Sequence, residues 1–246
     1  MSWESYGEGE SKAEIEERIQ REIAKREARG EPFKQVEVES RSGMPARSFW
    51  GKAWCENLES YEDYEGRLNR GRSYLRKGNV YNLTIEEGEI FAYVTGAEIY
   101  DVLIKVEPLE RDKWDSVKKE LSGKVENLVD LLAGKLGDGV METVTDREAG
   151  LFPSPQEISL SCTCPDWADL CKHQAAVMYG IGVMFDESPE LLFKLRGVDH
   201  SELVRAALDS AKNIGDLVED KPAGILQAGE LSELFGIEIT DPESAF

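Results

Sequence analysis

The chain has 246 residues, enough for one good hydrophobic core or two small ones, and its 49 acidic against 29 basic residues give a formal net charge of −20. That balance is wrong for a general nucleic-acid binder, because attraction to phosphate supplies most non-specific affinity. No apolar run approaches the roughly eighteen residues of a membrane span, and the acidic start Met1-Ser-Trp-Glu-Ser-Tyr-Gly-Glu-Gly-Glu lacks an apolar export segment, so a cytoplasmic protein with reduced thiols is expected.

Residues 1–46 read as a charged helix and a linker. Ser11 with Glu14 forms a capping box for a helix over 11–29, and Glu14/Arg18, Glu17/Arg21 and Glu22/Arg26 are favourably ordered i, i+4 pairs. Its apolar stripe is thin, Ile15, Ile19 and Ile23, which suits loose packing on the body or docking on a partner. Gly30, Pro32, Gly43 and Pro45 mark residues 30–48 as a linker.

Residues 47–150 read as an α+β domain built on an antiparallel meander with flanking helices. Trp50, Trp54 and Leu58 at helical spacing face a core, and Cys55 is a small buried thiol. From Ser73 to Glu107 the period switches to two, with turns at Lys77-Gly-Asn, at Glu86-Glu-Gly-Glu and near Gly96, which predicts three or four strands. Two amphipathic helices follow, one through Trp114, Val117 and Leu121, the next through Val125, Leu128, Val129, Leu131 and Leu132.

One segment opposes the acidic trend. Arg67, Arg70, Arg72, Arg76 and Lys77, with Tyr74 among them, include no acidic residue. If Arg70, Arg72, Tyr74 and Arg76 lie on one strand they share a side, giving a cationic stripe suited to a single-stranded backbone and a stacked base. The competing reading is a charged strand edge that discourages pairing with other chains.

Residues 151–212, introduced by Pro153 and Pro155, hold the densest chemistry: Cys162, Cys164, Cys171 and His173, spaced C-x-C-x6-C-x-H. Three thiolates and one imidazole make a closed tetrahedral set for one structural Zn2+. Ile158 to Thr163 alternates, so Cys162 and Cys164 close a strand with Cα atoms about 6.6 Å apart on one side. Residues two apart on a helix diverge, which places Cys171 at a helix entrance, with Asp169 as its N-cap, and His173 in the first turn. Pro189 opens a short helix through Leu191, Leu192 and Leu195, ending at Gly197; Ser201 to Ala211 is another helical pattern, with His200 a cap or surface group near its start. Residues 213–246 combine an acidic hinge with an apolar segment around Leu226, Leu231, Leu234, Phe235, Ile237 and Ile239, fit to fold back or to dock on a protein.

The cysteine spacing resembles the SWIM zinc finger signature C-x-C-xn-C-x-H. The similarity to bacterial and archaeal SWIM zinc finger proteins extends to Phe49-Trp-Gly-Lys-Ala-Trp-Cys-Glu-Asn-Leu, Arg70-Gly-Arg-Ser-Tyr-Leu-Arg, Gly150-Leu-Phe-Pro-Ser-Pro and Leu191-Leu-Phe-Lys-Leu-Arg-Gly-Val-Asp-His, covering roughly residues 47–205, and to Leu231-Ser-Glu-Leu-Phe-Gly-Ile-Glu. The resemblance implies that Cys162, Cys164, Cys171 and His173 are the zinc ligands, that the module binds DNA or protein, and that the chain accompanies a helicase-related ATPase of the chromatin-remodelling type.

Catalysis is not expected. The chain has no G-x-x-x-x-G-K-[ST] phosphate loop, a four-ligand zinc leaves no position for water, and no second histidine is placed as a general base beside it. Asp166 and Asp169 read as loop, cap or ligand-supporting groups. The expectation is a non-catalytic accessory or adaptor protein that binds a protein partner through the zinc region, with Trp167 as contact residue or as a lid over the metal; the alternative is direct DNA or RNA binding through Arg67 to Lys77.

Overall fold

The computed structural model describes residues 10–61, 65–121, 143–146, 149–203 and 205. They fall within one compact unit, Met1–Leu208; a second unit, Asp209–Phe246, lies outside the described residues, as do the helix expected through Val125 to Leu132, the hinge and the apolar C-terminal segment.

The architecture is α+β. In chain order the elements are α1 (Lys12–Ala28), α2 (Phe49–Glu59), α3 (Glu65–Arg76), β1 (Val80–Glu86), β2 (Glu89–Thr95), β3 (Ile99–Val106), α4 (Arg111–Leu121), a 3₁₀ turn (Pro155–Glu157), β4 (Ile158–Cys162), α5 (Lys172–Glu187) and α6 (Glu190–Leu195). The four strands form one antiparallel sheet in the order β1-β2-β3-β4. The expected meander is present, and β4 extends it: Ile158 pairs with Val106 and Cys162 with Val102, so the strand that delivers the first zinc ligand belongs to the same sheet.

Helix α5 lies at the centre. Twelve of its sixteen residues are buried, and a helix apolar all round must be enclosed. It packs on the inner sheet face, on Val80, Ala92, Val94, Val102 and Ile104 among others, and is covered by α2 and α3. The crossings are tight because small residues meet. A Cβ on Gly182 would fall 2.7 Å from the Cys55 sulfur and 3.0 Å from the Gly51 carbonyl, and Gly71 of α3 sits against Ala175. Gly182→Val therefore forces α2 and α5 apart and is expected to cost about 1–3 kcal/mol or more; a urea titration showing an unchanged midpoint contradicts this packing.

Trp50, Trp54 and Leu58 face this core as their spacing predicts, and the Trp54 indole donates to the Met178 carbonyl at 2.8 Å. Cys55 is buried, and desolvation, aided by Glu59 and Asp186, pushes its thiol up to about 12. It is an inert packing group. Asp186, near the end of α5, accepts from the Arg47 and Ser48 amides, both at 2.8 Å, and so fixes the start of α2.

Residues 30–48 are more ordered than a linker. Gln35 bridges to Tyr81, the Val36 amide donates to the Val80 carbonyl, and Asn82 exchanges hydrogen bonds with Lys34 through its main chain and its side chain. Asn82 has φ 49°, tolerable for asparagine, and the β1/β2 register slips there, so a bulge on the edge strand receives the incoming segment. Helix α1 packs through Ile19 and Ile23, with Phe33, on Tyr81, Tyr93 and Ile99 of the outer sheet face. The Ser11/Glu14 capping box forms; with Glu14 thus engaged, Arg18 pairs with Glu10 and donates to the Ala97 carbonyl. Trp114, Val117 and Leu121 are the buried face of α4, and α6 ends at Gly197, whose φ of 67° closes the helix. His200 packs on Phe193. Among the described residues no helix is long and apolar enough to cross a membrane.

Candidate metal centre

The end of β4 and the start of α5 bring four donor atoms together. One atom each from Cys162, Cys164, Cys171 and His173 lie within 4.8 Å of one another. A tetrahedron with Zn–S bonds of about 2.3 Å has edges of roughly 3.8 Å, so the residues fit one zinc ion with sub-ångström adjustment. When bound, the ion neutralises thiolates that otherwise repel.

Each donor has a local reason for its place. Thr163 extends the β3/β4 ladder by one residue, its amide donating to Asp101 O at 3.1 Å and its hydroxyl accepting from the Asp101 amide at 3.0 Å. This holds Cys162 and Cys164 on either side of an ordered residue. The expected N-cap, Asp169, is replaced in that role by Cys171. The helix begins at Lys172, the Cys171 sulfur accepts from the Gln174 amide at 3.4 Å, and the Gln174 side chain accepts from the Cys171 amide at 2.7 Å. A thiolate at a helix N-terminus meets the positive end of the peptide dipoles. Hydrogen bonding from Cys162, with that from His173 and the Gln174 amide, holds Cys171 below the usual thiol range despite burial, whereas its hydrogen bond to Cys171 and burial push Cys162 up. The thiols thus share protons that a divalent ion would release.

His173 is clamped by two tyrosines that sequence reasoning did not assign to the metal site. Tyr100 of β3 stacks on the imidazole at 4.5 Å and 27°, and Tyr74 of α3 meets it edge-on at 5.4 Å. Nδ1 lies 3.9 Å from the Cys162 sulfur, which makes it the nitrogen on the metal side; Nε2 is buried without a hydrogen-bond partner, facing Gly96. Lys172 extends over the Tyr74 ring at 4.9 Å. No local spacing signals Tyr100, since it reaches the site only through strand pairing.

The loop between the ligand pairs exposes Trp167, 99% accessible and the one large hydrophobic exposed among the described residues; it does not cover the metal ligands. Asp166 beside it accepts from Arg67 at 3.0 Å.

The basic segment is helical, which corrects the strand expected for Arg70, Arg72, Tyr74 and Arg76. Leu68, Gly71 and Leu75 point inward, and the cations fan out. Arg67 goes to Asp166; Arg72 pairs with Glu59 at 3.0 Å and lies over the Tyr179 ring; Tyr74 turns to His173; Arg76 donates to the carbonyls of Ser40 and Gly43; Arg70 and Lys77 are exposed. They do not form a single stripe.

A closed Cys3His set joining a sheet edge to a core helix defines a structural zinc-finger protein. Residues 146–180 match the SWIM zinc finger family, and this chain therefore carries a SWIM zinc finger whose ligands are Cys162, Cys164, Cys171 and His173. It is also similar to the uncharacterized protein Rv2102 of Mycobacterium tuberculosis, 32% identical over 172 residues, which are 69% of this chain and 62% of that relative. The chain thus spans less than two thirds of that relative's length. No solved structure matches it.

Proposed function

We propose that the protein is a cytoplasmic, non-catalytic adaptor whose zinc loop docks on a protein partner, a helicase-related ATPase in nucleic-acid metabolism. The observation that carries this reading is Trp167: a fully exposed indole on a loop whose two ends are fixed by metal ligands. Exposing a tryptophan is costly in water, and pre-organised aromatic anchors are what protein interfaces concentrate their energy on. The surrounding charge favours protein over nucleic acid. Three thiolates outweigh a divalent ion by one charge, Asp166 and Asp169 add to the acid, and Arg67 is spent on Asp166. Direct binding of DNA or RNA by one stripe from Arg67 to Lys77 has weaker support, because the helix sends Arg67 to Asp166 and Tyr74 to His173, away from the other cations.

A biosensor titration of the zinc-loaded protein against the purified ATPase tests this. Trp167→Ala is expected to weaken binding by about thirtyfold, the range of an interface hot spot, with the melting temperature unchanged because the side chain packs on nothing. Equal affinity of wild type and variant removes the proposed contact, and no binding to the ATPase removes the partner. Turnover of nucleotide or nucleic acid by the isolated protein overturns the adaptor role.

A further inference from the structure

The C-terminal half of α3 forms one wall of a cleft of about 500 Å³, lined by Gly43, Asn69, Arg72, Ser73, Arg76 and Lys77. Residues 69, 72, 73 and 76 recur at three- and four-residue steps, so the helix sets a carboxamide, a hydroxyl and two guanidinium groups on one face, and Lys77 follows at its end. The cleft is far from neutral in a chain whose net charge is −20. Arg72 shares the Glu59 carboxylate, which also accepts from the Tyr179 hydroxyl at 2.7 Å. Among the described residues Arg76 donates to neutral acceptors, the carbonyls of Ser40 and Gly43, and neither it nor Lys77 has an acidic partner. Beside these two cations Arg72 shares its charge with Glu59.

We infer that this cleft binds a phosphate monoester. A monoester carries close to two negative charges near pH 7 and three acceptor oxygens, matching the Lys77 ammonium, the guanidinium groups of Arg76 and Arg72 and the Ser73 and Asn69 donors. The end of a helix normally repels an anion through its carbonyls. Here the carbonyls of Ser73, Tyr74 and Leu75 already accept from the amides of Lys77, Asn79 and Gly78, so the cleft meets side-chain donors instead. The cleft opens to solvent, so a group attached to the phosphate can extend out of it. The site lies on the opposite face of α3 from Tyr74 and Arg67, which serve the metal centre, and does not depend on the adaptor reading.

Calorimetric titration of the full, zinc-loaded chain with adenosine monophosphate and with adenosine tests the inference. The monophosphate is expected to bind at least about tenfold more tightly, and more weakly as salt rises. Lys77→Glu should reduce its affinity about tenfold or more at an unchanged melting temperature, because Lys77 is exposed and has no ion-pair partner among the described residues; Arg76→Gln should reduce it too, with some loss of stability from freeing the Ser40 to Gly43 turn. A 5′-phosphorylated single strand that binds more tightly than both the monophosphate and its 5′-hydroxyl counterpart identifies a strand end as the source of the phosphate. Tighter binding of the monophosphate identifies a free nucleotide. Equal binding of adenosine and its monophosphate, wild-type affinity in Lys77→Glu, or no heat with either nucleoside compound overturns the site.

Discussion

Cys171→Ser is expected to abolish zinc retention and to lower the melting temperature of the whole compact unit in a single transition. Serine is itself a good N-cap, so the substitution preserves the cap on α5 while deleting a metal ligand. Cys164→Ser, which touches no cap, should give the same loss, and agreement between the two assigns it to the metal. An independent zinc module would give a milder outcome, unfolding confined to residues 158–200 with the meander spared. The packing argues otherwise. β4 pairs with β3 over five residues, and α5 touches every strand of the sheet as well as α2 and α3. Structural zinc supplies on the order of 10 kcal/mol in finger peptides, comparable with the roughly 5–15 kcal/mol that stabilises a typical domain. Zinc analysis combined with hydrogen exchange measures this: amides of β2 and β3 should lose protection together with those of α5. Fast exchange of 158–200 beside a still-protected meander contradicts the single-core reading.

The zinc ligands and the meander were legible in the sequence because both are local patterns. A C-x-C-x6-C-x-H spacing admits few alternatives, and period-two alternation survives where strands bury one face. Helix α3 is hard to see because its alternating arginines suit a strand face as well, whereas Leu68, Gly71 and Leu75, spaced by three and four, carry the helical signal. Glycine at 71 further lowered its helical appearance, yet it is required for contact with Ala175. The segment 30–48 looked like a linker because its hydrogen bonds go to β1, more than forty residues away in places. Pairings of that kind leave no periodic trace. The same holds for Tyr100, placed on His173 by the register of β3. Cys171 as N-cap was hidden by chemistry: cysteine is not a usual cap, and Asp169 is.

Arg196→Ala should destabilise the protein by about 3–5 kcal/mol, the usual consequence of leaving one partner of a buried ion pair alone. Arg196 is 1% exposed, donates to Glu157 at 2.6 Å and to the Glu107 carbonyl at 2.7 Å, and through its own carbonyl receives the Leu109 amide. It therefore ties the turn before β4 to the end of β3 and the C-terminus of α6. Truncation strands both a carboxylate and a carbonyl. Arg196→Met with Glu157→Leu, which removes both charges and retains bulk, should recover most of the loss; a double variant as unstable as Arg196→Ala refutes the ion-pair account and leaves packing as the cause. The pH dependence follows from Glu157. Burial alone would raise its carboxyl, but the Ser154 amide and the Arg196 guanidinium outweigh that and hold it below the usual carboxylate range. A group whose pKa is lower when folded stabilises the protein above its unfolded value, about 4.3, and that contribution disappears as pH falls through the folded value. The stability gap between wild type and Glu157→Gln should accordingly be full at pH 7 and shrink below about pH 4; a gap that widens toward acid reverses the sign and excludes Glu157 as the group responsible.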